Sequence, residues 1–372
     1  MTLFDRWATA LDQFQAQGRY RRFALPKGID FTSNDYLGYG SRPAPTGGGL
    51  PPTGMASRLL RGHHAVWDAV EARLAAWHGA EAVLMMTSGY AANEGLISTI
   101  MEPGDWVATD ELNHACIVDG LRLAKSRRYS YKHNDLKHLE DGLKAEAARN
   151  DPDRARFIVT ESLFSMDGDR APLPEIAALA ERYGAHLIVD EAHSTGCFGA
   201  TGSGCVDESG VRPRVLASMH TGGKALGVTG AYITGSNLLK EYLTNRCRHL
   251  IFTTALPPAV GGWWRHRLPE VEADDSGRRS LHWKANLFRE ALARQGVKPL
   301  GDHYIVPVVV GDDARAVAAA TRLQAQGFDV RAIRPPSVAP GTARLRISIH
   351  ADHDRDILVA LAAAVADAVH HV

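Results

Sequence analysis

Residues 186–190 read HLIVD, a short and almost entirely apolar run that ends in an aspartate. Four more runs share this character: 82–86 (AVLMM), 157–160 (FIVT), 215–219 (VLASM) and 230–234 (GAYIT). Helix-like stretches such as 90–101 and 174–183 lie between them. Short apolar strands that alternate with helices predict an α/β fold, in which helices cover a mostly parallel sheet. Ligands of such sheets bind at the carboxyl ends of the strands, so the residues after each run are candidates for a site.

The character of the sequence changes after residue 268, and this change divides the chain into predicted domains. The helix-like stretches there are 277–296, 313–326 and 353–369, and the strand-like ones between them are 304–310 and 344–349. We predict an N-terminal helix and extended segment over 1–36, a large domain over 37–268 and a smaller α+β domain over 269–372. A loop rich in glycine and proline, 41–54, leads into the large domain.

The composition argues against several classes of protein. Lys plus Arg and Asp plus Glu number 42 each, whereas nucleic-acid-binding scaffolds carry an excess of basic residues. The four cysteines, at 116, 197, 205 and 247, show neither zinc-ligand spacing nor a dense disulfide framework. The polar N-terminus lacks the apolar core of a signal peptide, and no apolar stretch approaches the roughly 18 residues of a membrane span. We therefore expect a cytoplasmic protein.

Two of the predicted strands end in residues that can carry chemistry. Asp190 closes the first run and His193 follows three residues later; the pair is either a helix cap with a buried carboxylate or a partner for a protonated ring nitrogen. After 215–219 comes HTGGKALG, in which glycines flank Lys224. A partly desolvated lysine forms Schiff bases, although a structural or phosphate-binding loop is the alternative. The segment is not a P-loop, because Ser218 stands where the first glycine is required.

Two further strand ends carry polar residues. The segment TSGYAAN, 87–93, combines hydroxyls with the start of a helix, which is an arrangement that binds anions but also serves as an ordinary N-cap. His114 follows another strand end and by itself could be a core or surface histidine. In chain order, the strand ends supply an anion cup, an imidazole, Asp190 with His193, and a glycine-flanked lysine. This set predicts pyridoxal 5′-phosphate (PLP) as cofactor, which needs a phosphate site, a stacking group, a ring-nitrogen partner and an imine lysine.

Other enzyme classes lack their sequence signatures in this chain. A hydrolase with Ser88 as nucleophile would need a Gly-x-Ser-x-Gly elbow, and a dinucleotide-binding enzyme would need Gly-x-Gly-x-x-Gly after its first strand. Neither motif occurs at these positions, and we see no cluster with metal-ligand spacing, so we expect no metal.

Longer segments resemble a known family, the α-oxoamine synthases of the fold-type I PLP enzymes. The resemblance covers nearly the whole chain and rests on these segments: TSNDYLG (32–38), TESLFSMDGDRAPL (160–173), LIVDEAHSTGCFG (187–199), RHLIFTTALPP (248–258) and AIRPPSVAPGTARLRIS (332–348). The last segment is most similar to the biotin-pathway branch of the family. The fold implied is a large domain with a mostly parallel sheet and a smaller α+β domain.

The resemblance implies a role for each matching residue. Lys224 matches the imine lysine, Asp190 the partner of the pyridine nitrogen, His193 the residue near the phenolic oxygen, and His114 the stacked imidazole. The other residues matched to the cofactor are Ser88, Gly89, Tyr90, Thr221, Glu161, Thr253 and Thr254, the last two acting from a neighbouring subunit. Those matched to the substrate are Asn34, Ser165, Arg346 and, by a loose alignment, Arg21. The alternation of Arg344 and Arg346 leaves open which of them binds the carboxylate.

The activity implied is a decarboxylative condensation. L-Alanine would react with a pimeloyl thioester, carried on coenzyme A or on acyl carrier protein, to give an α-oxoamine, CO2 and a free thiol. The resemblance also implies a homodimer with a shared active site. A sister enzyme such as glycine C-acetyltransferase is the first alternative, and a non-catalytic family subunit is a remote one, because such subunits typically lack the lysine.

Overall fold

The computed structural model describes residues 1–43, 49–151 and 153–371, so part of the predicted loop 41–54 lies outside the described residues. The strands are β1 Ile29–Asp30, β2 Ala82–Met86, β3 Trp106–Asp110, β4 Arg127–Tyr131, β5 Arg156–Glu161, β6 His186–Asp190, β7 Val215–Thr221, β8 Ala231–Gly235, β9 Ile305–Gly311, β10 Phe328–Asp329, β11 Arg331–Ile333 and β12 Ala343–Ser348. The α-helices are α1 Leu3–Ala16, α2 Ala65–His78, α3 Gly89–Ile100, α4 Ala115–Ala124, α5 Leu136–Ala147, α6 Leu173–Arg182, α7 Cys205–Glu208, α8 Asn237–Arg246, α9 Arg248–Ile251, α10 Pro258–Ala273, α11 Asp275–Arg294, α12 Asp313–Ala325 and α13 Arg355–His370.

The chain forms two units, which we call the central and the terminal unit. The central unit comprises Asn34–Ser165 and Arg170–Ser280, and the terminal unit comprises Met1–Ser33, Met166–Asp169 and Leu281–Val372. These units differ from the division predicted after residues 36 and 268. The N-terminal segment belongs with the C-terminal part of the chain because β1 pairs in parallel with β10.

A seven-stranded sheet organises the central unit, in the order β2-β8-β7-β6-β5-β3-β4. Neighbouring strands run parallel except at β8, which is antiparallel to both β2 and β7. Strand β2 therefore runs in the same direction as β7, and the carboxyl ends of β2, β3, β5, β6 and β7 share one edge. The predicted α/β fold with a mostly parallel sheet is confirmed.

Strand β4 shows where the apolar pattern fails to report a strand. It forms the edge of the sheet, and its residues alternate between exposed and half-buried until Tyr131, so no apolar run marks it. The interior strands β5 and β6 are buried almost throughout, which is why their sequences are nearly continuous apolar runs.

The core of the central unit lies between the sheet and the helices α3 and α4. Residues of both helices and of the inner strands form one cluster of buried side chains, which includes Leu96, Ile97, Ile117, Val159, Ile188 and Met219. This packing fixes the start of α3 and the start of α4 at the carboxyl edge of the sheet. All four cysteines are buried free thiols.

The terminal unit has an α+β arrangement. Strands β9, β12 and β11 form an antiparallel sheet with β12 in the middle, and α12 and α13 pack against each other beside it. Every residue of α1 is exposed. Among the described residues, we find no helix that is both long enough and apolar enough to cross a membrane.

A leucine at the centre of the core provides a test of this packing. Leu96 of α3 is fully buried, so Leu96→Ala removes apolar contacts and leaves a cavity. We expect a loss of about 2–5 kcal/mol in the free energy of unfolding, measured by urea denaturation followed by circular dichroism. The matched control is Leu238→Ala in α8, whose side chain is 75% exposed and whose loss should change the stability by less than about 0.5 kcal/mol. Equal losses in the two variants would contradict the assignment of this core.

Candidate active site

A cavity opens at the carboxyl edge of the central sheet. The residues that line it are Gly89, Tyr90, His114, Cys116, Glu161, Asp190, Ala192, His193, Met219, Thr221 and Lys224. All of them except Cys116, Ala192 and Met219 are residues that the sequence predicted for the site. Predicted residues from five separate segments of the chain therefore meet in one place.

Strand register explains why these side chains converge. Glu161 at the end of β5 pairs with Asp190 at the end of β6, and Asp190 pairs in turn with Met219 of β7. The next residues of β7 lead to Thr221 and the lysine loop. Gly89 begins α3 directly after β2, at the same edge. Side chains far apart in sequence are thus brought together by parallel pairing of strand ends.

The Asp190 carboxylate is buried and accepts hydrogen bonds at both oxygens. The Asn93 side chain donates through Nδ2 to Oδ2 at 2.7 Å, and the Ala192 backbone N–H donates to Oδ1 at 2.8 Å. Asn93 is itself fully buried on α3. The carboxylate braces the turn after β6 and also lines the cavity, and its role toward a ring nitrogen stays a prediction.

Lys224 and His193 lie in direct contact. The Lys224 Nζ is 2.7 Å from His193 Nε2, and the other ring nitrogen, Nδ1, is 2.7 Å from the Tyr36 hydroxyl. Tyr36 donates in turn to Asn34 Oδ1 at 3.0 Å. The Lys224 amine therefore lies beside the His193 imidazole, and the Tyr36 hydroxyl contacts the other ring nitrogen of that imidazole.

His114 caps helix α4 and connects to a second buried carboxyl group. Its backbone N–H donates to Glu161 Oε1 at 2.7 Å, and its Nδ1 lies 2.9 Å from the Cys116 Sγ. Removal from water lowers the pKa of His114. Burial, and then the neighbouring Asp190 charge, raise the pKa of Glu161 well above its usual value. Burial likewise raises the pKa of the Cys116 thiol to about 12, so the thiol is protonated at neutral pH.

The start of α3 closes one side of the cavity. Ser88 is the N-cap and accepts a hydrogen bond from the Ala91 backbone N–H at 3.2 Å, while Gly89 and Tyr90 face the cavity. The Tyr90 hydroxyl donates to Asp119, and this bond raises the pKa of Tyr90 to about 12. Backbone N–H groups at a helix start, together with the dipole of a 12-residue helix, favour a bound anion.

The two glycines before Lys224 have different reasons for being glycine. A Cβ on Gly222 would lie 2.3 Å from the Val228 carbonyl oxygen and 2.4 Å from the Trp264 ring, so packing under the loop excludes any side chain. Gly223 is exposed and meets nothing closer than 3.9 Å. Gly222 therefore serves the internal packing that holds the loop, and Gly223 does not.

Several predicted residues lie elsewhere. Thr253 lines a second cavity together with Trp67 and His249, and Thr254 is exposed. Ser165 is half-buried, and its backbone N–H donates to the Glu161 carboxyl group. Their predicted roles stay predictions.

Two predicted substrate residues belong to the terminal unit. Arg21 is exposed there. Arg346 is buried on β12 and donates through Nη1 to Ser348 Oγ at 3.0 Å. Its neighbour on the same face, Arg344, pairs with Asp167 and also donates to the Met166 carbonyl.

Besides Ala192 and Met219, three residues of the site were not among the predicted site residues: Asn93, Tyr36 and Cys116. Asn93 had a detectable signal, since it is a polar residue on the apolar stripe of α3 formed by Ala92 and Leu96. Tyr36 stood inside the quoted segment TSNDYLG, but its contact with His193 spans 157 positions and no local pattern reports it. Cys116 resembles an ordinary buried thiol.

The chemistry of the donor set fits PLP. One end of the cavity offers helix N–H groups and the Thr221 hydroxyl, which suit a phosphate. The buried Asp190 carboxylate suits a protonated ring nitrogen, and the His114 ring offers a flat face. The Lys224 amine suits an aldehyde.

Comparison with known proteins places the chain in a family. Residues 26–365 match the family described as aminotransferase class I and II. The 8-amino-7-oxononanoate synthase of Geobacter sulfurreducens is 40% identical, with 96% of both chains covered. That of Chlorobaculum parvum is 40% identical over 94% of this chain and 91% of the relative, and that of Trichlorobacter lovleyi is 42% identical over 90% and 87%.

Solved structures agree with this placement. A serine palmitoyltransferase from S. paucimobilis with bound PLP has a TM-score of 0.90 at 27% identity, with full coverage of both chains. An 8-amino-7-oxononanoate synthase from Francisella tularensis has a TM-score of 0.76 at 26% identity, with 92% of this chain and 98% of that one covered. The predicted family, enzyme class and cofactor are confirmed: the chain belongs to the class I and II aminotransferase family and, within it, to the PLP-dependent α-oxoamine synthases related to 8-amino-7-oxononanoate synthase.

Proposed function

We propose that the protein condenses L-alanine with a pimeloyl thioester and releases 8-amino-7-oxononanoate, CO2 and the free thiol. The observation that carries the catalytic part is the contact of 2.7 Å between Lys224 Nζ and His193 Nε2 in the cavity that Asp190 lines. The names of relatives at about 40% identity over most of the chain support the choice of substrates.

The proposed roles divide between holding the cofactor and moving protons. PLP, when bound, supplies an electron sink for the carbanion at the amino acid's Cα. The anionic Asp190 would hold the ring nitrogen protonated, His114 would stack on the ring, and the phosphate would meet a group of donors at one end. We assign the phosphate donors as Ser88, Gly89, Tyr90 and Thr221, joined by Thr253 and Thr254 of a partner subunit. Glu161 would hold His114 in place by accepting a hydrogen bond from its backbone N–H.

Lys224 would remove the Cα proton of alanine and later return a proton to the same carbon. The carbanion forms the new C–C bond as the thioester C–S bond breaks, and the carboxylate leaves as CO2. Arg346 would bind that carboxylate by its guanidinium fork before it leaves, with Asn34, Ser165 and Arg21 as further substrate contacts. We propose that the protein is a cytoplasmic homodimer. The pimeloyl group would be carried as a thioester of coenzyme A or of acyl carrier protein.

Substrate preference is tested by the near-visible absorption of the holoenzyme. We expect L-alanine to perturb the band of the bound cofactor at a concentration at least about tenfold lower than glycine or L-serine, which corresponds to about 1.4 kcal/mol in binding. Each amino acid is titrated separately into the same preparation. If glycine or L-serine perturbs the band at a lower concentration than L-alanine does, the α-oxoamine synthase assignment stands and L-alanine is the wrong amino-acid substrate.

The lysine assignment predicts a large effect of one substitution. Lys224→Ala removes the proposed proton carrier and should lower kcat by about 10²–10⁴-fold or more, measured by release of the free thiol. The control is Lys137→Ala, since the Lys137 side chain is 82% exposed and should leave turnover unchanged. Near-normal turnover in Lys224→Ala would contradict the assignment of Lys224 as the proton carrier.

The charge of Asp190 can be separated from its hydrogen bonds by exchanging it with Asn93. In Asp190→Asn alone, both former acceptor positions face N–H donors, so the new amide must turn its own NH2 toward one of them. We expect this variant to lose about 1–3 kcal/mol of stability and at least about 100-fold in kcat.

The double exchange Asp190→Asn with Asn93→Asp restores a donor–acceptor pair but moves the charge. Thermal unfolding should recover toward the original stability, while kcat should remain low. If activity recovers together with stability, then the position of the negative charge is unimportant and the proposed role of Asp190 fails.

A further inference from the structure

Two buried side chains, Asn93 and Cys116, connect the Asp190 carboxylate to the His114 ring. Asn93 Nδ2 donates to Asp190 Oδ2 at 2.7 Å and to the Cys116 Sγ at 3.2 Å. The Cys116 Sγ in turn lies 2.9 Å from His114 Nδ1. Asn93 and Cys116 are almost completely buried, and neither takes part in the steps proposed above.

Counting hydrogens gives the direction of each of these hydrogen bonds. The Asn93 amide has two hydrogens on Nδ2, and they go to Asp190 and to the Cys116 Sγ. His114 Nδ1 accepts from the Cys116 backbone N–H at 3.3 Å, so this nitrogen presents its lone pair to the start of α4. The contact between Nδ1 and Sγ must therefore use the thiol hydrogen. Burial raises the pKa of the thiol to about 12, so that hydrogen is present at neutral pH.

We propose that Cys116 is a positioning residue whose thiol donates to His114 Nδ1 and so holds the imidazole ring, with Asn93 holding the thiol. The proposal deepens the proposed function and rests on the places given there to Asp190 and His114. The bond fixes the rotation of the imidazole, and it leaves the ring hydrogen of the neutral form on Nε2.

His114 needs such a holding group because of where it lies. Its side chain lines the cavity and the residue is exposed, so packing alone does not fix the ring. A hydrogen bond that Nδ1 accepts also favours the uncharged imidazole over the imidazolium. An uncharged ring can lie against a protonated pyridine ring without repulsion between two cations.

One buried amide thereby orients both groups that would meet the cofactor ring. Asp190 would face the ring nitrogen while His114 lies on the ring face, and a site of this kind works only if such groups keep a fixed relation. Asn93 belongs to α3 and Cys116 to α4, and these helices share the core of the central unit. A thiol suits the position between them because it accepts one hydrogen bond and donates another.

Infrared spectroscopy can observe the thiol hydrogen directly, because S–H stretching absorbs where other protein groups do not. The band of Cys116 is the one that is missing in Cys116→Ser, in the apoenzyme and in the holoenzyme. We expect it at a lower wavenumber than the band of an alkanethiol in hexane, which donates no hydrogen bond. In His114→Phe, which lacks the acceptor, the band should move to a higher wavenumber.

Two infrared outcomes overturn the proposal. One is a Cys116 band of the original protein at the wavenumber of the alkanethiol, and this outcome is decided even if His114→Phe fails to fold. The other is a Cys116 band that does not move in a folded His114→Phe.

Cofactor binding tests whether the thiol acts through His114. Cys116→Ala should weaken PLP binding about threefold to tenfold, as expected for the loss of one hydrogen bond, in a titration of the apoenzyme followed by near-visible absorption. Cys116→Ser keeps a donor and an acceptor, so its affinity should stay within about twofold of the original. In the His114→Phe background, Cys116→Ala should cause less than about a twofold further change. Equal losses in both backgrounds, or in the alanine and serine variants, overturn the proposal.

The matched control is another buried thiol of the central unit. Cys247 is fully buried and belongs to the same core cluster as Cys116, but it is not among the residues that line the cavity. Cys247→Ala removes a thiol of the same size and should leave both the PLP affinity and the Cys116 band unchanged. A loss of affinity as large as that in Cys116→Ala contradicts the proposal, because affinity would then report only on the packing of the core.

These readouts separate two kinds of failure. The S–H band is measured without substrates and the PLP affinity without an acyl donor, so neither depends on L-alanine or on the pimeloyl thioester. A preference for another amino acid with an intact hydrogen bond at Cys116 overturns only the proposed function. A Cys116 thiol that donates no hydrogen bond, in an enzyme with confirmed substrates, overturns only the role of Cys116.

Discussion

The hydrogen bonds to the buried Asp190 carboxylate constrain much of the central unit. Removing a carboxylate from water costs several kcal/mol unless donors replace the lost hydration. Asn93 must therefore point from α3 toward the end of β6, and the chain must turn at Ala192 so that its N–H reaches the other oxygen. The orientation of Asn93 on α3 and the tight turn after β6 both satisfy this requirement.

The second carboxyl group shows how the site limits its charge. Glu161 is the register partner of Asp190, and two adjacent buried carboxylates repel each other. Burial and then the Asp190 charge raise the pKa of Glu161, which favours the protonated form of that carboxyl group. Removal from water also lowers the pKa of His114, which keeps that ring neutral at physiological pH. An uncharged imidazole ring and a buried aspartate side chain suit a flat, cationic heteroaromatic ligand.

The sequence predicted the parts of the site that follow from strand ends. A buried parallel strand such as β6 is almost entirely apolar, so the polar residue that closes it stands out, as Asp190 does. The contacts of Tyr36 and Asn93 were beyond reach, because each joins segments about a hundred or more positions apart, and side-chain distances decide them. The pairing of β1 with β10 was also beyond reach, since it depends on the fold and on no local pattern.

The two arginines of β12 illustrate what structure adds to a pattern that sequence leaves ambiguous. Arg344 and Arg346 share a face of the strand, and both are buried. Arg344 is paired with Asp167, a carboxylate of the same unit, and a guanidinium that already binds one carboxylate has less charge to offer another. Arg346 donates through Nη1 to the neutral hydroxyl of Ser348. The contacts of Arg344 with Asp167 and with the Met166 carbonyl thus tie segment 166–169 to β12, and they make Arg344 the less suitable of the two arginines for binding a substrate carboxylate.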